Sequence, residues 1–171
     1  MINQLSQIRA FIFDVDGVLT DGLVHVTETG EQLRRFSIKD GYALQLAVKR
    51  GYPIAIISGG RSQSIVSRLQ GLGIKDIYIG VETKTDAFEE FLLIHDLQPE
   101  QVMYMGDDIP DFPVMQKVGL PVCPADAAEE IKTISKYISP VKGGAGCVRD
   151  VIEKVLKVQG VWLDEAPSAR G

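Results

Sequence analysis

Short apolar runs alternate along this chain with longer amphipathic stretches. Residues 9–13, 53–57, 76–79, 101–105 and 120–122 are mostly apolar over three to five positions. Runs of that length suit strands buried on both faces. Helical patterns occupy 41–49, 62–70, 85–95 and 111–117, and two more follow at 127–133 and 148–158. Gly51, Gly71 and Gly73 stand where the first two helices should stop. This alternation predicts an α/β fold, a doubly wound parallel sheet of Rossmann-like type with helices on both faces. Residues 22–36 break the rhythm. Leu23-Val24-His25-Val26 alternates and Glu28-Thr29-Gly30 reads as a turn, so a β-hairpin is inserted after the first strand. A lone hairpin is marginal in water, which makes an identical neighbour its expected packing partner. Residues 160–171 carry Pro167, Ser168 and two glycines and are expected to form a loose tail.

Bulk properties narrow the classes. At 171 residues the chain fits a single domain, 1–171. A formal net charge of -5 argues against a nucleic-acid footprint. An anionic substrate would therefore need a local cation or a metal. Cys123 and Cys147 lie far apart in no CxxC pattern, so neither a disulfide framework nor a zinc site follows. The chain opens without a basic and apolar leader and has no run of transmembrane length, and a cytoplasmic protein without a membrane partner is expected.

The chemistry concentrates where strands end. Asp14 and Asp16 follow the first strand, and if it continues, residues i and i+2 share a side. Two such carboxylates repel unless a cation sits between them. The pair therefore points to a hard divalent metal, with a carboxylate free to act as nucleophile. A lone DxD is equally a polar strand end, so the other strand ends matter. Ser58-Gly59-Gly60 follows the second run and exposes a hydroxyl and backbone N–H groups, which suit phosphate oxygens. Lys84 follows the third run. Gly106-Asp107-Asp108-Ile109-Pro110-Asp111 follows the fourth. Each cluster has a bland reading: many turns read SGG, aspartates cap helices and most lysines are solvated. In an open α/β sheet, however, all four share the ligand-binding rim, and their parts suit phosphoryl transfer with Mg2+.

In this order, DVDGVLTDG, IISGG, Lys84 and GDDIPD resemble the haloacid dehalogenase superfamily of phosphatases over nearly the whole chain. The resemblance implies that Asp14 is the nucleophile and Asp16 the general acid and base. It assigns Mg2+ to Asp14, the backbone carbonyl of Asp16 and Asp107. Ser58, Gly59 and Lys84 would bind the phosphoryl group, while Asp108 and Asp111 would support the metal or orient Lys84. Neither gap between motifs can hold a cap domain. The chain is similar to the capless subfamily that hydrolyses 3-deoxy-D-manno-octulosonate 8-phosphate in lipopolysaccharide precursor synthesis. The stretch Phe36 to Gly41 and the run Gly143 to Arg149 carry that likeness. It implies a homotetramer in which a neighbour's hairpin, and a tail carrying Arg170, complete the site. Members often read TGR where this chain has Ser58-Gly59-Gly60, with arginine displaced to Arg61. The substrate's own carboxylate needs a cation, for which Arg61 and Arg149 are the candidates ahead of Arg68. A phosphatase for nine-carbon sugar acid 9-phosphates and a non-catalytic phosphatase-like module are the alternatives.

Overall fold

The computed structural model describes residues 1–163. The expected tail falls mostly outside the described residues, and Arg170 lies wholly outside them. After a short helix α1 (Ile2–Gln7), strand β1 (Ala10–Phe13) runs into a tight loop, Val15–Leu19. The hairpin strands β2 (His25–Val26) and β3 (Gln32–Leu33) follow. The alternation then proceeds through α2 (Ile38–Lys49), β4 (Ile54–Ile57), α3 (Gln63–Gln70), β5 (Asp76–Tyr78) and α4 (Lys84–His95). It continues through β6 (Val102–Met105), α5 (Phe112–Met115), β7 (Leu120–Cys123), α6 (Glu129–Ile134), β8 (Tyr137–Ile138) and α7 (Cys147–Val158).

The order β5-β4-β1-β6-β7-β8 makes a six-stranded sheet, and every strand pair in it is parallel. Side-chain alternation divides its two faces. Phe11 and Phe13 of β1 join the core under α1, α2, α3 and α7, whereas Ala10 and Ile12 join the core under α4, α5 and α6. After β5 the chain crosses back to β6 on the far side of β1. Neighbouring connections thus leave β1 on opposite faces, and the crevice at its carboxyl end is the switch point where such sheets bind ligands.

Helix α2 begins three residues earlier than periodicity indicates, because the Ser37 hydroxyl accepts from the Asp40 N–H and caps it. The expected 111–117 helix is shorter, since Pro110 and Pro113 confine the segment to a 3-10 turn over Ile109–Asp111 and the single turn of α5. Helix α1 and the two-residue β8 carry too short a pattern to be read from sequence.

Asp40 joins two of these helices at a price in charge burial. It is 1% exposed, its Oδ1 accepts from the Arg149 N–H at the start of α7 (2.9 Å), and its Oδ2 has no partner. Burial, opposed by that N–H and by the Arg149 charge, raises its carboxyl from 3.8 to about 6. The fold therefore prefers the protonated acid. Its contribution is intact below the ordinary carboxyl range and is lost as pH rises through about 6. Asp40→Asn keeps the Oδ1 acceptor and removes the charge. It is expected to stabilise the protein by about 1–3 kcal/mol at pH 7.5 and by little at pH 4, read from urea denaturation at both. A gain that is the same at both pH values would contradict a buried charge as the cause.

Candidate active site

At the carboxyl ends of β1, β4 and β6 lies a cavity of about 510 Å³, lined by Asp14, Asp16, Ser58, Gly59, Lys84, Asp107 and Asp108 among others. That volume suits a small organic ligand. Four strand-end motifs thus converge as their order along the sheet requires.

Asp14 sits at the very end of β1, 8% exposed, with its N–H bonded to the Met105 carbonyl and its Oδ1 accepting from the Val15 N–H at 2.7 Å. Asp16 reaches the same cavity by a different route from the one expected. The strand stops at Phe13, and Asp16 reaches the cavity from the turn that follows Asp14, in which Asp16 and Gly17 are not helical. Gly17 then takes φ +86°, and a Cβ there would stand 1.8 Å from Asp107 Oδ2. Both facts exclude other residues. A Cβ on Gly143 would fall 1.9 Å from the Gly17 carbonyl oxygen, so the glycine run before α7 buttresses this loop from behind.

Lys84 opens α4 and is 7% exposed. Its Nζ lies 3.2 Å from Asp14 Oδ2 and 2.8 Å from Asp111 Oδ1. Burial pulls its ammonium downward, but Asp14 and Asp111 more than offset this and hold it above its ordinary value. Asp111 is fully buried and fully engaged. Its Oδ1 accepts from Lys84 and from the Tyr104 hydroxyl (2.6 Å), and its Oδ2 accepts from the N–H groups of Asp107 and Asp108. Asp108 is exposed at the cavity edge, where its carboxylate accepts from the Ile109 N–H at 2.8 Å and caps the turn that follows. On this geometry Asp111 anchors Lys84, and Asp108 does not.

Oxygens of Asp14, Asp107 and Asp111 lie within 4.8 Å of one another. Three carboxylates share the one Lys84 ammonium. Burial, then Asp111 and Asp107 against Lys84, raises the Asp14 carboxyl well above the usual range. Burial, then Asp111 and Asp108, raises Asp107 to about 7. This oxygen-only cluster with surplus negative charge fits a hard divalent cation. Asp111 already receives four donors, whereas no such set of donors occupies Asp14 and Asp107 among the described residues.

Ser58 is 1% exposed; its Oγ accepts from the Gly60 N–H at 3.1 Å. The candidate arginines are not brought to the cavity. Arg61 lies over Gly80, where a Cβ would meet its Nη1 at 2.8 Å. Arg149 lies against the edge-to-face pair Tyr42 and Trp162, 5.7 and 5.3 Å from their centroids, and reaches Glu153 at 3.5 Å. Arg68 covers Gly41. Among the described residues Lys84 is the basic side chain that lines the cavity. A further arginine, which sequence reasoning passed over, stands behind its wall. Arg34 follows β3 and forks the Asp16 carboxylate, Nε to Oδ1 at 2.7 Å and Nη2 to Oδ2 at 3.3 Å. The doublet Arg34-Arg35 closing the hairpin beside an aspartate motif was the available signal.

Residues 73–149 match the model of the haloacid dehalogenase-like hydrolases. The 3-deoxy-D-manno-octulosonate 8-phosphate phosphatase of Escherichia coli (strain K12) is 41% identical over 166 residues, covering 97% of this chain and 88% of that one. The crystal structure of the Yersinia pestis phosphatase of that name superposes with a TM-score of 0.92 at 40% identity, covering 94% of this chain and 87% of that one. The corresponding Moraxella catarrhalis structure, in complex with magnesium ion, phosphate ion and KDO, gives a TM-score of 0.92 at 31% identity, over 99% of this chain and 96% of that one.

Proposed function

The chain belongs to the haloacid dehalogenase-like hydrolases, in the capless branch of the 3-deoxy-D-manno-octulosonate 8-phosphate phosphatases, and from that premise we propose that it hydrolyses 3-deoxy-D-manno-octulosonate 8-phosphate to the sugar acid and phosphate. One observation carries the mechanism: a buried Asp14 carboxylate fixed by Lys84 faces Ser58 and Gly59 across a single cavity. Asp14 attacks phosphorus while the bond to the sugar oxygen breaks. Asp16 gives its proton to the departing oxygen, leaving an aspartyl-phosphate on Asp14. Asp16, now a carboxylate, takes a proton from water. That water attacks phosphorus, releasing phosphate and restoring Asp14. Ser58 and the Gly59 N–H hold phosphoryl oxygens, and Lys84 balances their charge. Magnesium held by Asp14, Asp107 and the Asp16 carbonyl supplies, when bound, further positive charge against the transferring group.

We place the reaction in lipopolysaccharide precursor synthesis in the cytoplasm. No helix of the described residues is long and apolar enough to cross a membrane. For the substrate carboxylate, Arg61, next to the cavity-lining Gly60 in sequence, remains a candidate, and Arg149 would have to serve a neighbouring copy. A homotetramer built on the hairpin is supported by the exposure of Leu23, Val24, Val26 and Leu33 upon it. The test is phosphate release from the eight-carbon substrate with magnesium, beside a nine-carbon acid 9-phosphate, other sugar phosphates and an EDTA control. Selective turnover that EDTA abolishes is expected. Equal turnover of all esters, or preference for the nine-carbon acid, would overturn the substrate assignment.

A further inference from the structure

Arg34 is costly as placed. Its side chain is 7% exposed, and its Nη1 is buried with no hydrogen-bond partner. A buried guanidinium with an orphan donor is destabilising unless something compensates. Among the described residues its ion pair is with the Asp16 carboxylate, which is itself 40% exposed. The arginine is buried in the protein, and the carboxylate it forks stands part-exposed at the cavity edge. Among the described residues, the hydrogen bonds to that carboxylate come from Arg34 alone. The two-pronged contact sets rotation as well as position, which a single donor does not.

Gly60, which lines the cavity, packs beside this pair: a Cβ there would stand 3.5 Å from Arg34 Nη2, an ordinary contact distance.

We propose that Arg34 is a positioning residue for the reaction: carried by the foot of the hairpin, it holds the Asp16 carboxyl in the orientation from which it passes its proton to the departing sugar oxygen. The inference rests on the phosphatase reading given above. It also gives the hairpin a task within its own chain, separate from any contact between copies. Whatever shifts the hairpin shifts the proton donor.

The experiment compares Arg34→Ala, Arg34→Lys and Arg34→Met, with Asp16→Asn and the Asp16→Asn/Arg34→Ala double variant. Two kinds of ester are used: a sugar phosphate, whose alkoxide needs a proton to leave, and p-nitrophenyl phosphate, whose phenolate does not. Arg34→Ala and Arg34→Met are expected to lower kcat on the sugar phosphate by about 10- to 100-fold with KM little changed, part of the 10²- to 10⁴-fold that general acid catalysis supplies. Arg34→Lys should recover part of that loss. First-turnover release of p-nitrophenol should stay within about threefold of wild type, since this step needs no donor. In the Asp16→Asn background, removing Arg34 should change kcat by no more than about twofold, because residues acting as a unit are not additive. Equal losses on both esters, or a full further loss in the double variant, would overturn the proposal. Failure of the parent reading looks different, as wild-type enzyme that ignores the sugar-acid phosphate. The cycle then runs on the alkyl phosphate it does hydrolyse, and the role of Arg34 is decided independently. The Lys and Met variants keep the stem packed, so loss of fold in Arg34→Ala does not decide the outcome.

Discussion

Replacing Asp14 by Asn is expected to abolish turnover, by about 10⁴-fold or more, while raising the stability of the metal-free protein. The two effects share one cause. Asp14 is 8% exposed, and its carboxyl is lifted well above its ordinary range by burial and then by Asp111, with Lys84 only partly compensating. A carboxyl raised in the fold contributes stability at low pH that is lost as pH rises, because the folded state resists its ionisation. The uncharged amide avoids that penalty. The metal-free variant should therefore melt above the wild type at pH 8 and close to it at pH 4. Saturating magnesium should shrink the gap, since the cation supplies what the repelling carboxylates lack. Activity has no such rescue. The amide has no anionic oxygen to attack phosphorus, and Val15 N–H and Lys84 would then cradle a group that cannot react. Single-turnover phosphate release and paired thermal melts read both halves. Retention of more than a few per cent of activity would refute the covalent route through Asp14. A variant less stable than wild type at pH 8 without metal would instead refute the charge crowding.

The sequence announces the parts of this site that are set by strand order, and conceals those set by side-chain direction. Buried runs fix which residues end strands, and parallel connectivity brings those ends to one rim, so Asp14, Ser58, Lys84 and Asp107 were legible as a group. The division of labour between Asp108 and Asp111 was not. The two lie three residues apart, and what separates them is a 3-10 turn that drives Asp111 under Lys84 and Tyr104 and leaves Asp108 at the surface. The glycine run before Arg149 lets the loop press against Gly17, and within its own chain the arginine just beyond faces Tyr42 and Trp162 rather than the cavity, a placement that the run itself does not announce. Arg34 was hidden by the opposite effect. Within a segment of alternating polarity an arginine reads as a solvated face, and only the close approach of the hairpin foot to Asp16 and Gly60 buries it.

Asp111→Ala should be as damaging to the fold as Asp14→Asn is to the chemistry. Asp111 is fully buried and accepts from four donors. Its removal strands the buried Tyr104 hydroxyl and leaves two loop N–H groups without an acceptor. Lys84 then has Asp14 as its sole remaining counter-ion. Removing one partner of a buried ion pair typically costs about 3–5 kcal/mol, and the stranded hydroxyl adds to it. An ammonium no longer held from below is free to collapse onto Asp14 and cover the nucleophile. Turnover should fall by about 10²-fold or more on top of the stability loss, on the scale of a misplaced catalytic group. Asp108→Asn is the control. That side chain accepts from the Ile109 N–H and caps the turn that follows, and an amide oxygen accepts there too. Its effect on stability should stay within about 1 kcal/mol. Urea denaturation separates the two variants, and magnesium titration of activity decides the remaining point. If Asp108→Asn shifts the magnesium requirement more than Asp111→Ala does, the exposed carboxylate is the metal's support and the assignment of the pair is reversed. If Asp111→Ala lowers kcat at unchanged magnesium requirement, the buried aspartate works through Lys84, as its hydrogen bonds indicate.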